Sequence, residues 1–546
     1  MIHAIHRPGT LDACPIDGRM LLRLQTDRDK ISAGFLHYVC DKNQWLTDRR
    51  RIPLKLRFRD SSFDYFYCSV LLTDTRFAYV FELVTAEGKS LWLSEEGLSE
   101  RYDHSLSYFN FFQYPSQFSC DLMRCQDWTR KTVAYQIFPE RFAVGVSENR
   151  AKAINQEWGE KPTPTSFYGG DLAGICQHLP YLEELGVNLL YLTPIFCSPS
   201  NHKYDTTDYE RVDPAFGGNA ALRELIEQAH ARGIRVMLDG VFNHLSWEHP
   251  FFADAKKHGT RSAYYQWFFF SEDGSYRTFG SVPYMPKLNT GNPDVIRYFT
   301  DLAVKWMREY GVDAWRLDVS DEMSHRFLRH FREGVLAERP DAIIIGEDWH
   351  TAAQYLGGDE YDGTMNYGFA KACLDLLAFD TLTPSGFRDR LIRLYHARSV
   401  AASENMLNLL DSHDTDRFLT WAKGDARRYR TAVAMLFFYP GIPCIYYGDE
   451  IGLEGGYDPD NRRCFDWDRE HWDHETHALI QRLARLKRQP ALSLGSFSLE
   501  EDDGLLRFIR SAPGQKLILT VNPNAEECRG LPAFGHEITQ IGGDEL

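Results

Sequence analysis

Four acidic residues in this chain each stand where a short apolar run ends. They are Asp239 in DGVFNH (239–244), Asp318 in WRLDVSDE (315–322), Glu347 in IIIGEDWH (343–350) and Asp414 in LLDSHD (409–414). A strand buried on both faces reads as an unbroken apolar run, and a carboxylate at its end must face a cleft or be desolvated at high cost. The runs TVAYQIF, NLLYLTPI, IRVMLDGV, DAWRLDV, AIIIGED, TMNY, MLNLLDS and IPCIYYGDE supply eight such strands. Helical patterns lie between several of them. Leu222, Leu225, Ile226 and Ala229 share one face of a helix that should stop at Gly233. Val295, Phe299, Leu302, Trp306 and Tyr310 form a second stripe ending at Gly311. Eight strands alternating with helices predict a (β/α)8 (TIM) barrel with its chemistry at the carboxyl rim.

A barrel does not use the whole chain. At 546 residues the protein is multidomain, with the barrel expected over 126–490. Residues 1–125 read as an N-terminal β-sandwich. In LKLRFRD, Leu54, Leu56 and Phe58 alternate with Lys55, Arg57 and Arg59, the period of a half-buried strand. FAYVFELV (77–84) and YFNFFQY (108–114) are further strands, and Glu87-Gly88 marks a turn before LWL. Residues 491–546, with LLRFIR and KLILTVN, read as a short C-terminal β-domain. Residues 245–291 are too long for a loop after the third barrel strand and should form a small inserted subdomain.

The net charge of −16 excludes nucleic acid and anionic membrane surfaces as partners, since both need clustered cations. No run of 18 apolar residues is present, and MIHAIHRPGTLDACPIDG has no signal-peptide core. The 11 cysteines are odd in number, scattered and without CxxC spacing. They are expected to be reduced thiols of a cytoplasmic protein, with neither a disulfide framework nor a zinc site.

Cleaving a glycosidic bond takes two carboxyl groups, one at the anomeric carbon and one protonating the leaving oxygen. Retaining enzymes hold them about 5–5.5 Å apart, and neighbouring strands lie about 4.8 Å apart. Acids ending the fourth and fifth strands fit that spacing. Asp318 shares a strand face with Arg316, two residues earlier, whose charge should keep it ionised as a nucleophile needs. Glu347 follows an apolar run, where burial raises a carboxyl's pKa and suits a general acid. Singly, each acid could be a structural ion pair or a helix cap. Four in this order are hard to read that way.

The segments DGVFNH, WRLDVSDE, GEDWH and LLDSHD resemble the signature segments of the α-amylase family, glycoside hydrolase family 13. The similarity runs on through YQIFPERF (135–142), FYGGDLAG (167–174), PSNHKYDTTDY (199–209) and PGIPCIYYGDE (440–450). MPKLN (285–289) is similar to a marker of the neopullulanase, cyclomaltodextrinase and maltogenic amylase group, whose members carry an N-terminal sandwich. The resemblance implies Asp318 as nucleophile, Glu347 as acid/base and Asp414 as the acid that grips the sugar's hydroxyls and distorts its ring. It implies that His244 and His413 bond the same sugar, that Tyr204 stacks under it with Asp205 alongside, and that Arg316 orients the nucleophile. Asp239 and Asn243 would support the site. Asp458 and Arg462 in DPDNR would be further subsite contacts, with a surface ion pair as the plain alternative. Glu322 would border the leaving-group side and influence hydrolysis against transfer.

Two departures from the family pattern stand out. Relatives that bind calcium use an Asn/Asp-rich loop after the segment matching FPERF, but here it reads AVGVSENR, with Val144 and Val146 where oxygen donors belong. Calcium needs six to eight oxygens, so no metal or other cofactor is expected, although the Asp171 end of such a site is kept. Second, Tyr355 takes the place of a tryptophan that relatives carry after the acid/base, which would alter a subsite wall. The expected activity is retaining hydrolysis of α-1,4 bonds in cyclodextrins, short maltodextrins and pullulan, with transglycosylation. Expected partners are α-glucan oligosaccharides and cyclodextrins, plus a second copy joined through the N-terminal domain. A maltodextrin glucosidase releasing single glucoses is the enzymatic alternative. A non-catalytic barrel used for interaction would have lost an acid or Arg316, and all are present.

Overall fold

Eight short parallel strands form the centre of the molecule: β1 (Ala134–Ile137), β2 (Leu189–Leu192), β3 (Arg235–Gly240), β4 (Ala314–Leu317), β5 (Ile343–Gly346), β6 (Gly363–Thr364), β7 (Leu407–Asn408) and β8 (Ile442–Tyr446). This computed structural model describes all residues except 1, 10, 17, 75, 106–109, 115–117, 119–122, 146–153 and 544–546. Hydrogen bonds run in the order β6-β5-β4-β3-β2-β1-β8-β7. A parallel bridge between Met365 and Leu407 joins the two ends of that order, so the sheet closes into the expected barrel. Tyr191, Met237, Ile343, Ile345, Leu407 and Ile442 pack its interior. The outward residues meet the surrounding helices, which explains why these strands read as unbroken apolar runs.

The helices follow their apolar stripes. Pro293–Tyr310 buries Val295, Phe299, Leu302 and Trp306. It starts at Asn292, whose side chain accepts the Asp294 N–H, and stops at Gly311, left-handed at φ 83°. Gly218–Ala231 buries Leu222, Leu225, Ile226 and Ala229 and is followed by Gly233 at φ 71°.

Before the barrel, a five-stranded sheet faces a six-stranded one. Leu22, Leu24, Leu36, Phe66, Phe81 and Leu83 are buried between them, making a β-sandwich. Ala78–Thr85 and Ser90–Ser94 pair antiparallel across the Glu87-Gly88 turn. The alternation read in LKLRFRD breaks at one point. The pairing of Lys55–Arg59 slips between Leu56 and Phe58, so Phe58 is buried while Leu56 is 44% exposed. In YFNFFQY, residues 108 and 109 lie outside the described residues, and Phe112–Gln113 pairs with Ala78 and Tyr79. After the barrel, Ser496–Asp502, Leu505–Ala512, Gln515–Val521 and His536–Gly542 form one antiparallel sheet.

The insertion after β3 begins with the helix Pro250–His258 and ends by returning to its own start. Lys287 bridges His244, the Leu288 N–H bonds Asn243 O at 2.9 Å, and the Leu245 N–H bonds Pro286 O at 3.2 Å. MPKLN therefore lies against FNHL at the barrel rim. Among the described residues, no helix is long and apolar enough to cross a membrane.

Candidate active site

The barrel register decides which acids meet. Asp239 on β3 lies opposite Arg316 on β4, and Leu317 lies opposite Gly346 on β5. Asp318 and Glu347 thus emerge one residue past adjacent strands. Gly346 permits the close approach, since a Cβ there would sit 2.7 Å from Ser320 Oγ and 2.8 Å from the Tyr361 ring. Arg316 is wholly buried at the centre of this group. One terminal nitrogen lies 2.8 Å from Asp239 Oδ1 and 2.9 Å from Asp318 Oδ1, and the other 2.9 Å from Glu347 Oε2. The planar fork suits such sharing, and the acids offset the cost of burying its charge.

Each of the two candidate catalytic acids keeps one oxygen off this fork. Asp318 Oδ2 is buried, has no hydrogen-bond partner, and lies 3.9 Å from His244 Nε2. Glu347 Oε2 also accepts the Val319 N–H at 2.9 Å, while Oε1 accepts the Trp349 indole N–H at 3.2 Å. Val319 reaches Glu347 from a left-handed backbone, φ 47° and ψ 45°, a strained conformation for a β-branched residue.

Tyr204 and His413 form the floor, their rings parallel at 5.5 Å between centroids. The Tyr204 hydroxyl lies 3.1 Å from Asp239 Oδ2 and 2.5 Å from His413 Nε2. The Gln136 side-chain amide donates to His413 Nδ1 at 2.7 Å, which leaves the ring proton on Nε2, toward Tyr204 and Asp414. Burial, then the nearby Arg462 and Arg316 charges, push His413 well below the usual imidazole range. Burial likewise takes His244 down to about 3. Both histidines are therefore neutral donors at neutral pH.

Asp414 stands beside His413, and Arg462 reaches toward it while pairing Asp458 at 2.9 Å. Together with Tyr204, His244, Asp318 and Glu347, the residues Asp414, Asp458 and Arg462 line a cleft of about 220 Å³. Phe279, Val282 and Met285 of the insertion close one wall. A second cleft shares His202, Asp458 and Arg462 and continues past Tyr284.

Some expected site residues fall elsewhere. Asp205 accepts Ser198 Oγ at 2.7 Å and Ser200 Oγ, and it lines the second cleft rather than the one holding the acids. Asp239 is buried beneath Arg316 and also receives the Tyr191 hydroxyl at 2.9 Å. Asn243 is buried and takes the Leu288 N–H on its backbone oxygen. Glu322 is at the rim, half-exposed, in an ion pair with Lys287 of MPKLN. Tyr355 is not a subsite wall. It is 5% exposed, stacks between His325 and Tyr361, and donates its hydroxyl to Asp321 O at 3.0 Å. The tryptophan beside the acid is Trp349, 47% exposed and stacked on Tyr367 at 3.8 Å. Gln136 and Tyr191 were also missed, although a polar atom inside AYQI and LLYL was a usable signal. Val282 and Phe279 carried none.

Asp171 Oδ1 accepts the Gly145 N–H at 2.9 Å and the Gly174 N–H at 2.7 Å, capping Leu172–Gln177. The loop from Val146 to 153 lies outside the described residues.

Burial opposes ionisation of three aspartates here, Asp318 among them despite the nearby Arg316. Burial pushes the Asp318 carboxyl well above the usual range, Arg316 opposes this, and Glu347 and Asp239 add repulsion. Burial also lifts Asp239 to about 6 and raises Asp414. A nucleophile at Asp318 would have to be ionised, so activity should then be lost as pH falls through a value above the ordinary Asp pKa of about 3.9. Arg316 lowers that value, so Arg316→Met should move the acid limb of kcat/KM upward by about 1–3 pH units, while Arg316→Lys keeps it nearer its place. A pH series on a chromogenic maltoside reads the limb. An unmoved limb in the Met variant would detach Arg316 from this titration.

A family model described as "Alpha amylase, catalytic domain" matches residues 136–482, and one described as "Alpha amylase, N-terminal ig-like domain" matches 1–117. The chain is 40% identical over 545 residues to a cyclomaltodextrinase of Geobacillus thermopakistaniensis, covering 97% of this chain and 92% of that relative. It is 39% identical over 533 residues to an intracellular maltogenic amylase of Bacillus subtilis, covering 95% and 90%. A solved cyclomaltodextrinase superposes with a TM-score of 0.90 at 37% identity, covering 96% and 91%.

Proposed function

This chain belongs to the α-amylase family, and we propose that it is a retaining glycoside hydrolase of the cyclomaltodextrinase and neopullulanase type. It opens cyclodextrins and cuts short maltodextrins and pullulan at α-1,4 bonds. The observation that carries this reading is the shared fork: Asp318 and Glu347 each anchor one oxygen on Arg316, and both line the cleft. Two carboxyl groups tied to one guanidinium suit the closer spacing of a retaining pair, about 5–5.5 Å, better than the wider one of an inverting pair.

The roles follow from the oxygens that lie off the fork. Asp318 Oδ2, the unpartnered one, attacks the anomeric carbon as the bond to the leaving oxygen breaks. Glu347 Oε2 already receives two donors, so the proton sits on Oε1 and passes from there to the leaving oxygen. Glu347 then draws a proton from water, whose oxygen displaces Asp318 from the sugar. A sugar hydroxyl in place of water gives transglycosylation. Asp414, with neutral His413 and His244 as donors, binds hydroxyls of the distorted ring. Asp458 and Arg462 hold the next sugar, and Glu322 with Lys287 borders the leaving side. No cofactor enters these steps.

The protein is further proposed to act in the cytoplasm as a homodimer through its N-terminal domain. The ten described cysteines are all free thiols, as a reducing compartment keeps them. Exposed Trp247, Trp349 and Tyr457, close in sequence to His244, Glu347 and Asp458, offer aromatic surface for a partner's sandwich to cover. Product profiles on β-cyclodextrin, pullulan and maltoheptaose test the activity. Ring opening of the cyclodextrin followed by shorter maltodextrins is expected. Glucose alone from maltoheptaose, with cyclodextrin untouched, would overturn the substrate assignment. Gel filtration at the monomer mass of 63.1 kDa would remove the dimer.

A further inference from the structure

Asp414 stands on the loop after β7, and little holds its side chain directly. Its Oδ1 lies 3.2 Å from His413 Nε2 and 3.8 Å from an Arg462 nitrogen, with 28% of the side chain exposed. Its direction is therefore set by the backbone of residues 412–415. That backbone is gripped from the loop after β8. Asn461, fully buried, brings Nδ2 to 2.7 Å from His413 O, 2.8 Å from Thr415 O and 3.3 Å from Ser412 O. A side-chain amide has two N–H groups, and the two shorter contacts take them. The opposite flip would press Oδ1 against carbonyl oxygens, so this orientation is the stable one. Arg462 Nε adds a 2.9 Å bond to His413 O. Arg417 ties back in the other direction, from its Nε to Asn461 O at 3.0 Å and from its N–H to Gly455 O at 2.9 Å. The two loops are cross-braced, and Asn461 is at the crossing.

We propose that Asn461 is a positioning residue of the reaction, holding the His413–Asp414 backbone so that Asp414 meets the sugar hydroxyls as the ring distorts. This rests on the role given to Asp414 above. A buried Asn between loops can also be a simple fastening, and the two roles separate by experiment. Asn461→Asp keeps the volume but turns oxygens toward the carbonyls, whereas Asn461→Ala leaves a void without repulsion. Misplacement of about 1 Å in an active site costs about 100-fold. We expect kcat on maltotriose to fall about 100-fold in the Asp variant, about 10-fold in the Ala variant and least in Asn461→Ser, which keeps one donor. KM should change less than about threefold, because the ground-state sugar is undistorted. Affinity for a flattened, cationic sugar analogue should fall in step with kcat. A fastening role would appear in stability alone, lowering Tm while kcat and analogue affinity of the folded variants stay near those of the unaltered enzyme; that result overturns the proposal. Should the Asp variant not fold, Ser must exceed Ala in kcat for the proposal to stand. Asp414→Asn serves as control. If it stays active, the role of Asp414 is wrong; if it is inactive while Asn461→Asp turns over normally, only the role of Asn461 is wrong.

Discussion

Asp318→Asn should lower kcat on maltodextrins and cyclodextrins by on the order of 10⁴-fold or more while leaving the protein at least as stable as before. The two halves have one cause. Asp318 is buried, and its carboxyl is pushed well above the usual range, so the folded state binds the proton more tightly than the unfolded chain. Stability from this group is complete below the unfolded pKa and is lost as pH rises through the folded one. Wherever it is ionised, this carboxylate is held at a cost, which the proposed attack would require. Asparagine removes that charge while its side-chain oxygen can still accept from Arg316. A rise in Tm of about 1–3 °C is expected. A Tm several degrees lower would mean that activity was lost by unfolding, and the nucleophile assignment would lose its support.

Glu347→Gln should give a loss that depends on the leaving group. A sugar alkoxide leaves poorly without a proton, so maltotriose turnover should drop about 10²–10⁴-fold. A maltosyl donor with a fluoride or nitrophenyl leaving group needs little protonation, so its first step should nearly keep its rate. The second step still lacks a base, and the expected signature is a burst of released leaving group followed by slow turnover. Azide, which attacks without giving up a proton, should restore turnover and yield a maltosyl azide. Equal losses on both donors would remove Glu347 from the proton transfer.

Much of this was legible because barrel strands are buried on both sides. IIIG and WRL could hardly be anything but interior strands, and acids following them could hardly avoid a cleft. Lengths were less legible. MLNLLDS yields only Leu407–Asn408 as ladder, because the chain must leave the sheet early to carry Ser412–Asp414 over the rim. Side-chain direction was the weakest point. Tyr355 follows the acid at a suggestive distance, yet its hydroxyl is drawn down to the Asp321 carbonyl. Asp205 sits beside Tyr204 but is held by two serines in the neighbouring cleft. The upward push on the Asp318 carboxyl was not legible, because the two-residue spacing reveals Arg316, whereas the depth of burial depends on packing from distant parts of the chain.

The segment between Leu245 and Gly291 contributes Phe279, Val282 and Met285 to the cleft but none of the acids or the arginine. One wall of the pocket and the reactive groups facing it therefore belong to separate stretches of chain. Mutation in the insertion can change which glucans fit while the barrel keeps its reactive groups in register.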